Sequence, residues 1–310
     1  MRSFFVICLF NLTARLPLKV LHQIGVMLGW ITFYCSPTYA QRLRKNLADA
    51  GLQRAGQNYS ATEINAILHA NIAEMGKGAS ELPWVWCRPL HEVLRSVQAC
   101  PGLEHVEVAR ARGQGVIILT PHLGCFEMIA LYLAERVPMT SMYRPPRLAW
   151  LDQITRLGRG RGQMSLAKTD IGGVRALYKT LKRGDVIGML PDQVPTGGEG
   201  EWANFFGHPA YTMTLVGRLV ESCNAVAMMC YSERLPEGKG YIIHISPLEF
   251  NTNSPVTQQI NAALEQVIAC CPTQYLWAYN RYKIPSGVAP PDSTTPSGTA
   301  SPKHREEPAT

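Results

Sequence analysis

Short apolar runs alternate with longer amphipathic stretches through most of the chain. The apolar runs, several rich in β-branched residues, predict strands at 116–120, 139–143, 164–168, 185–190, 225–232 and 241–246. The amphipathic stretches predict helices at 62–80, 126–136, 148–158, 171–183, 211–223 and 255–269. Strands that alternate with helices are typical of an α/β fold, so we expect a mixed, largely parallel central sheet flanked by helices.

The first 36 residues have a different pattern, in which basic residues separate two apolar stretches. Residues 4–10 and 24–35 are each shorter than the roughly 20 residues that span a bilayer. Arg15 and Lys19 lie between them, and a charge at mid-membrane costs about 2.5 to 3.5 kcal/mol. An amphipathic helix in the membrane interface is therefore favoured over one straight span, and a packing helix of a soluble protein is the alternative. A cleaved secretory signal is disfavoured, because no A-x-A site follows.

The composition changes again after residue 284. Residues 285–310 are rich in Pro, Ser, Thr and Gly and contain almost no large apolar side chain. Such a segment cannot bury enough apolar surface to offset its conformational entropy, which predicts a disordered tail. We therefore expect a membrane-associated segment at 1–36, a folded domain at 37–284 and a tail at 285–310.

Charge is distributed unevenly around a net value of +7. Residues 1–60 carry seven Lys or Arg against one acid, and residues 136–183 carry eleven against two. Two basic zones of this kind suit an anionic bilayer surface, a phosphorylated lipid or an acidic carrier protein. Nucleic-acid binding is not expected, because the zones contain no reading helix, zinc site or RNA-binding aromatic motif.

Cysteine and histidine spacing argues against a disulfide framework and a metal site. The nine cysteines include no C-x-x-C pair, and the eight histidines form neither H-x-x-x-H nor H-E-x-x-H. We expect reduced thiols, no metal and no cofactor. Cys125 invites interpretation as a nucleophile, but a packing role is favoured because a hydroxyl can attack a thioester directly.

One run joins a strand to candidate acid–base chemistry. His122 follows the apolar strand that Pro121 ends, and Glu127 lies five positions later in the first turn of a predicted helix. A carboxylate that accepts a hydrogen bond from one ring nitrogen leaves the other free to take a proton from a hydroxyl. The turn's amides and the helix amino end are placed to stabilise an oxyanion. An isolated H-x4-E is more often structural, so the surrounding sequence has to decide.

That surrounding sequence resembles a known family through an ordered set of motifs. They are Thr-Pro-His-Leu-Gly-Cys-Phe-Glu from 120, Tyr-Arg-Pro from 143, Arg-Gly-Arg-Gly from 159, Gly-Gly-Val-Arg-Ala-Leu from 172, Leu-Pro-Asp-Gln from 190 and Phe-Phe-Gly-His-Pro-Ala from 205. Their order and spacing are similar to those of the bacterial late acyltransferases of lipid A biosynthesis, the lauroyl/myristoyl acyltransferase family. This family belongs to the wider lysophospholipid acyltransferase superfamily, and the resemblance covers most of residues 12–284.

The resemblance implies an inner-membrane enzyme, facing the cytoplasm, that moves an acyl chain from acyl carrier protein, or acyl-CoA, to a lipid hydroxyl. The family's HX4(D/E) pair would be His122 and Glu127, and residues 37–284 would be the acyltransferase domain. The expected acceptor is a phosphorylated lipid A precursor. Alternatives are an aminolipid, a lysophospholipid or another glycolipid as acceptor, or a non-catalytic protein that binds lipid at the membrane surface.

Further site residues are expected near the ends of predicted strands. Arg144 follows a strand, and Arg159 and Arg161 are flanked by glycines, so all three are candidates to bind a phosphate, unless they are simply solvated surface arginines. Asp192 and Gln193 follow the strand at 185–190, where they are placed to position the acceptor hydroxyl or the His122 loop. A turn cap is the plainer interpretation of Asp192.

Overall fold

The central feature of the fold is a seven-stranded sheet. A computed structural model describes residues 2–54, 56–146 and 149–291. The sheet order is β3-β11-β10-β4-β7-β5-β6, and β10, β4, β7, β5 and β6 are mutually parallel. β11 runs antiparallel to β10, with β3 parallel to it at the edge. The sheet strands are β3 Val97–Ala99, β4 Val116–Leu119, β5 Met139–Tyr143, β6 Met164–Lys168, β7 Val186–Met189, β10 Val226–Arg234 and β11 Tyr241–Leu248.

Helices cover both faces of this sheet, so the predicted α/β class with a mixed, largely parallel sheet is confirmed. They are α1 Arg2–Thr13, α2 Leu18–Cys35, α3 Pro37–Asp49, α4 Ala61–Cys87, α5 Leu90–Leu94, α6 Leu103–Ala111, α7 Phe126–Ala134, α8 Ala149–Arg159, α9 Ile171–Lys182, α10 Leu215–Cys223 and α11 Val256–Cys270. Two small hairpins lie outside the sheet: β1 Gln53–Arg54 with β2 Gln57–Asn58, and β8 Gly200–Phe205 with β9 His208–Met213.

The central strands form where continuous apolar runs predict them. All residues of β4 and β7 are buried, as expected for parallel strands that are covered on both faces. Two apolar clusters lie against them, one containing Ile117 and Leu119 and the other Ile118 and Met128. Side chains of a strand point alternately to the two faces, so neighbouring residues of β4 belong to different clusters.

The prediction of a helix at 211–223 is wrong in its first part. Tyr211, Thr212 and Met213 pair with β8 as the end of β9, and the helix begins only at Leu215. This pairing depends on a partner strand that a local helical pattern does not reveal. Residues 285–291 have no helix or strand, and the rest of the predicted tail, 292–310, lies outside the described residues.

The long helix α4 organises the amino-terminal part of the protein. It begins with a capping box, in which Glu63 N donates to Ser60 Oγ (3.3 Å) and Ser60 N donates to Glu63 Oε2 (2.8 Å). Helix α2 crosses it where three glycines meet. A side chain at Gly76 would lie 2.7 Å from Gly29 N and would also overlap the carbonyl oxygen of Gly25. Small residues therefore allow these two helix backbones to approach closely.

Candidate active site

His122 lies at the carboxyl edge of the sheet, just beyond β4. Thr120 N donates to Met189 O (3.0 Å), which continues the pairing with β7 to the end of the strand. The segments that follow β4, β5 and β7 emerge at the same edge, because these strands are parallel. Asp192 follows β7 and Arg144 follows β5, so three of the predicted site residues belong to one edge of the sheet.

The loop that starts at His122 is fixed by two distant segments. Leu276 N donates to His122 O (3.0 Å), and Gly124 N donates to Gln274 O (3.0 Å). The amide after Gly124 donates to Ser232 O (3.0 Å). Gly124 has a φ of 59°, and any side chain there would overlap the Ser232 carbonyl oxygen. Glycine is therefore required for this loop to lie against β10.

Asp192 is the carboxylate that contacts the imidazole of His122. Its Oδ1 lies 2.8 Å from His122 Nδ1, and its Oδ2 accepts from the His122 backbone amide, also at 2.8 Å. The Asp192 side chain is 3% exposed, whereas that of His122 is 18% exposed. Burial alone would raise the pKa of Asp192, but the imidazole, its two hydrogen bonds and the nearby Arg281 lower that pKa below its ordinary value.

An ionised Asp192 determines which ring nitrogen of His122 carries the proton. The carboxylate only accepts hydrogen bonds, so Nδ1 donates to it and Nε2 keeps its lone pair. The amide nitrogen of Gln193 lies 3.1 Å from Nε2 and is the donor to that lone pair. Nε2 is thus the ring nitrogen that can accept a proton, and the Gln193 side chain covers it.

Glu127 does not orient His122 as the sequence spacing predicts. Arg159 Nε donates to both of its oxygens (2.8 and 3.1 Å), and Arg159 Nη2 also donates to Oε1. Trp86 Nε1 donates to Oε2 at 3.2 Å. The helix begins at Phe126 as predicted, but its first-turn carboxylate lies against α8 and α4, where Arg159 and Trp86 supply donors that the local spacing does not reveal.

The three predicted phosphate-binding arginines have different surroundings. Burial lowers the pKa of Arg159, but Glu127 outweighs this effect and raises it. Arg161 donates to Arg88 O (2.6 Å), Val85 O and Gly158 O (2.8 Å), so its guanidinium caps the end of α4. Arg144 is exposed at the carboxyl end of β5.

His122, Glu127 and Arg159 line one cavity of about 290 Å³ between α4 and the His122 loop. His122 and Glu127 therefore line the same cavity, although their side chains are not hydrogen-bonded to each other. The rest of this catalytic cavity is formed largely by α4 and the His122 loop, with Met75, Leu82, Trp86, Cys125, Phe126 and Leu276 among its lining residues.

Cys125 is unsuited to act as a nucleophile. It is 3% exposed, and its pKa is raised well above the ordinary thiol value by burial and by the neighbouring carboxylate of Glu81. A neutral thiol is a poor nucleophile, since the thiolate is the reactive form. The packing role predicted for Cys125 is consistent with this environment.

Most backbone amides of the His122 loop already donate hydrogen bonds within the protein. Gly124 and Cys125 donate to protein carbonyls, so they do not provide the oxyanion donors that the sequence predicts. Within the described chain, the amides of Phe126 and Glu127 have no carbonyl acceptor. They form the amino end of α7, which carries partial positive charge and borders the cavity beside the Arg159 guanidinium.

A buried charge cluster behind the loop was not predicted. Glu81 accepts from Arg234 Nε (2.8 Å), Arg234 Nη2 and Tyr241 OH (2.9 Å), and His22 Nε2 lies 3.0 Å away. Burial would raise the pKa of Glu81, but Arg234 and His22 hold it well below the ordinary range. Only the position of Glu81 on an apolar helix face hints at this role, because its partners come from three other elements.

Comparison with known proteins gives one family match. Residues 1–284 match the model of the bacterial lipid A biosynthesis acyltransferase family. The chain is 25% identical over 283 residues to the lipid A biosynthesis lauroyltransferase of Escherichia coli K12, covering 89% of this chain and 90% of that protein. It is 24% identical over 278 residues to the palmitoleoyltransferase of the same organism, covering 88% of each chain. An acyltransferase of Haemophilus influenzae is 23% identical over 283 residues, with 88% and 84% covered.

Proposed function

Because this chain belongs to the bacterial lipid A biosynthesis acyltransferase family, we propose that it transfers a fatty acyl chain from acyl carrier protein to a hydroxyl of a lipid A precursor, with His122 as general base. The contact between His122 Nδ1 and Asp192 is the observation that carries this proposal. It fixes the ring so that the second nitrogen can take a proton at the edge of a cavity that also contains Glu127 and Arg159.

The reaction follows from these positions. The acceptor hydroxyl displaces the Gln193 amide from Nε2, gives its proton to that nitrogen and attacks the thioester carbonyl carbon. The carbonyl oxygen becomes an oxyanion beside the amino end of α7 and the Arg159 guanidinium. When the tetrahedral intermediate collapses, the carbon–sulfur bond breaks and the thiolate takes the proton from His122. The new ester and the free carrier thiol balance the step.

Glu127 serves this site through Arg159. Its carboxylate receives donors from two nitrogens of the guanidinium, which holds the cation against the cavity wall. Without that partner the cation would be half-buried and unpaired, and it would move toward water. We therefore assign Glu127 as the positioning residue for Arg159, and Asp192 as the positioning residue for His122.

The same proposal places the protein at the cytoplasmic face of the inner membrane. Among the described helices, α2 is long and apolar enough to cross a bilayer by length and composition, although 33% of it is buried against the rest of the protein. Several large apolar side chains of α1 and α2 are exposed, among them Leu12, Met27 and Ile31. Anionic lipid would attract the basic residues beside this apolar face, and Arg144 is available for a phosphate of the acceptor.

Mass spectrometry of total lipid extracts tests this function. Cells with the native gene, a deletion, His122→Ala and the exposed His105→Ala would be compared. We expect the deletion and His122→Ala to remove one acyl chain's mass from lipid A, and His105→Ala to leave it in place. If lipid A is unchanged and the mass of another lipid class shifts, that lipid class is the acceptor and the proposed lipid A acceptor is wrong. No lipid change in any strain would favour a non-catalytic lipid-binding protein.

A further inference from the structure

A second, smaller cavity adjoins the catalytic cavity. It has a volume of about 50 Å³ and lies between α7 and the strands β4, β5, β6 and β7. Phe126, Glu127 and Arg159 line both cavities and so form the wall between them. The small cavity is therefore separated by these three side chains alone from the place where the thioester would react.

The lining of this second cavity is suited to hydrocarbon. Four methionines contribute to it, together with aliphatic side chains of the core, while Ser141 and Thr120 are its uncharged polar members. Methionine is flexible and fills irregular apolar space, so a cavity bordered by several of them can adjust to an alkyl chain. The four are Met139, Met142, Met164 and Met189.

Phe126 is the apolar member of the dividing wall. Its ring centroid lies 4.9 Å from that of His122, and no hydrogen bond restrains its side chain. Arg159 and Glu127, by contrast, are held by several hydrogen bonds and by Trp86. Rotation of the Phe126 ring would join the catalytic cavity to the apolar one without breaking the buried ion pair.

Gly188 of β7 lines the apolar cavity beside the end of the Met139 side chain. A methyl group at this position would lie 2.6 Å from Met139 Cε and 3.6 Å from Ser141 Oγ. The close neighbour is the far end of a flexible side chain, so the protein can accommodate alanine by displacing that methionine. The displaced group would occupy space that is otherwise open to a ligand.

We propose that this methionine-lined cavity receives the terminal methylenes of the acyl chain, and that Gly188, Met139 and Met164 set the chain length that is transferred. Phe126 is the gate through which the tail enters. This inference rests on the proposed acyl transfer. It adds the residues that select the chain length of the acyl donor.

Competition between acyl donors tests the proposal. The full-length enzyme would receive an equimolar mixture of acyl carrier proteins loaded with acyl chains of different even carbon numbers. Mass spectrometry would then identify the lipid products. Gly188→Ala should shift the preferred donor to a shorter chain and Met164→Ala to a longer one. Since one methylene in an apolar pocket discriminates by about tenfold or more, we expect the ratio of adjacent chain lengths to change by at least that factor.

Met229→Ala is the matched control. Met229 is buried on β10 and lines neither cavity, so its truncation removes at least as much packing as that of the partly buried Met164 without changing the space for a tail. Its product distribution should equal that of the wild type. Active Gly188→Ala and Met164→Ala enzymes with unchanged chain-length preference would overturn the proposal, as would an equal shift in the control.

A measurement that needs no turnover separates this inference from the proposed function. A dodecanoyl thioester with a diazirine at its terminal carbon would be irradiated with the wild-type protein, and the labelled peptides identified. Label on the segments that contain Met139, Met164 or Gly188 is the expected result. Label confined to other segments would refute the assignment of this cavity to the acyl tail, whether or not transfer occurs. Correct labelling without any transfer would instead count against the proposed reaction alone.

Discussion

Two carboxylates belong to the candidate site: Glu127 lines the catalytic cavity, and Asp192 contacts His122. Asp192 bonds both the ring and the backbone of His122, whereas Glu127 bonds Arg159 and Trp86. Because Asp192 keeps a lowered pKa, its stabilising contact with His122 is fully present above its ordinary pKa and is lost only as pH falls through the lower, folded-state value. The imidazole is therefore held in one orientation at neutral pH.

Asp192→Asn should lower kcat by about 10²- to 10⁴-fold with little change in KM, because an amide no longer fixes the proton on Nδ1. Steady-state rates with saturating donor would measure the loss. Nitrogen NMR of labelled histidine would give the cause directly. The wild type should show a protonated Nδ1, and the variant a mixture of tautomers.

Glu127→Gln separates the two carboxylates. It removes the ionic partner of Arg159 and should also reduce turnover, but the His122 tautomer should remain that of the wild type. An altered tautomer in Glu127→Gln together with an unchanged one in Asp192→Asn would restore the original interpretation, in which Glu127 orients the base.

At the scale of elements, the unit from β4 to α7 depends on one close backbone approach. Gly124→Ala would meet the Ser232 carbonyl and force the loop away from β10. We expect a stability loss of about 1 to 3 kcal/mol from strain and, through displacement of His122, at least a tenfold lower kcat. Thermal unfolding and single-turnover rates would measure the two effects.

Gly113→Ala provides the matched control for this glycine. Gly113 also has a positive φ, 72°, but a methyl group there would meet nothing within 4 Å. The Gly113→Ala variant should lose the stability that alanine costs at a positive φ without moving the His122 loop, so its kcat should be unchanged. A similar loss of kcat in both variants would mean that the turn conformation, and not the contact with Ser232, limits activity.

Most of the sheet was predictable because β4 and β7 are continuous apolar runs that only a covered parallel sheet can bury. Residues 211–213 were not, because their strand pairing is set by β8 across a tight hairpin. Helices α5 and α6 are short and have little periodic signal of their own. Local patterns thus identify buried elements and miss those that depend on a neighbour.

The candidate site divides in the same way. His122 and Glu127 were found from their spacing together with the ordered motifs around them, and both line one cavity. The carboxylate that contacts His122 comes from 70 residues away, and no local rule chooses between Asp192 and Glu127. The glycines that flank Arg161 suggest an open loop and do not reveal that its guanidinium caps carbonyls at the distant end of α4; its phosphate-binding role stays a prediction.

At the scale of the whole molecule, helix α2 belongs to the core and to the surface at once. Leu21 is buried in the same apolar cluster as Ile118, and His22 joins the buried charge cluster through Glu81. The opposite side of α2 exposes Met27 and Ile31, one turn apart. The predicted boundary at residue 36 thus separates chain segments that share a core, and the anchoring role of residues 1–36 stays a prediction.

The two sides of α2 make that role testable. Met27→Glu with Ile31→Glu replaces apolar surface that is 57% and 49% exposed, so it should not lower the melting temperature. Each apolar side chain buried in lipid contributes about 1.5 to 3 kcal/mol, so binding to anionic vesicles should fall by more than tenfold. Leu21→Ala should do the reverse, lowering stability by about 2 to 5 kcal/mol while vesicle binding persists.

Vesicle flotation and thermal unfolding of the wild type and both variants would test this prediction, and unchanged flotation of the double variant would exclude this face from the membrane. Activity on lipid acceptors presented in those same vesicles should then follow flotation and not stability, because a soluble catalytic domain would reach its substrate only by chance collision with the bilayer.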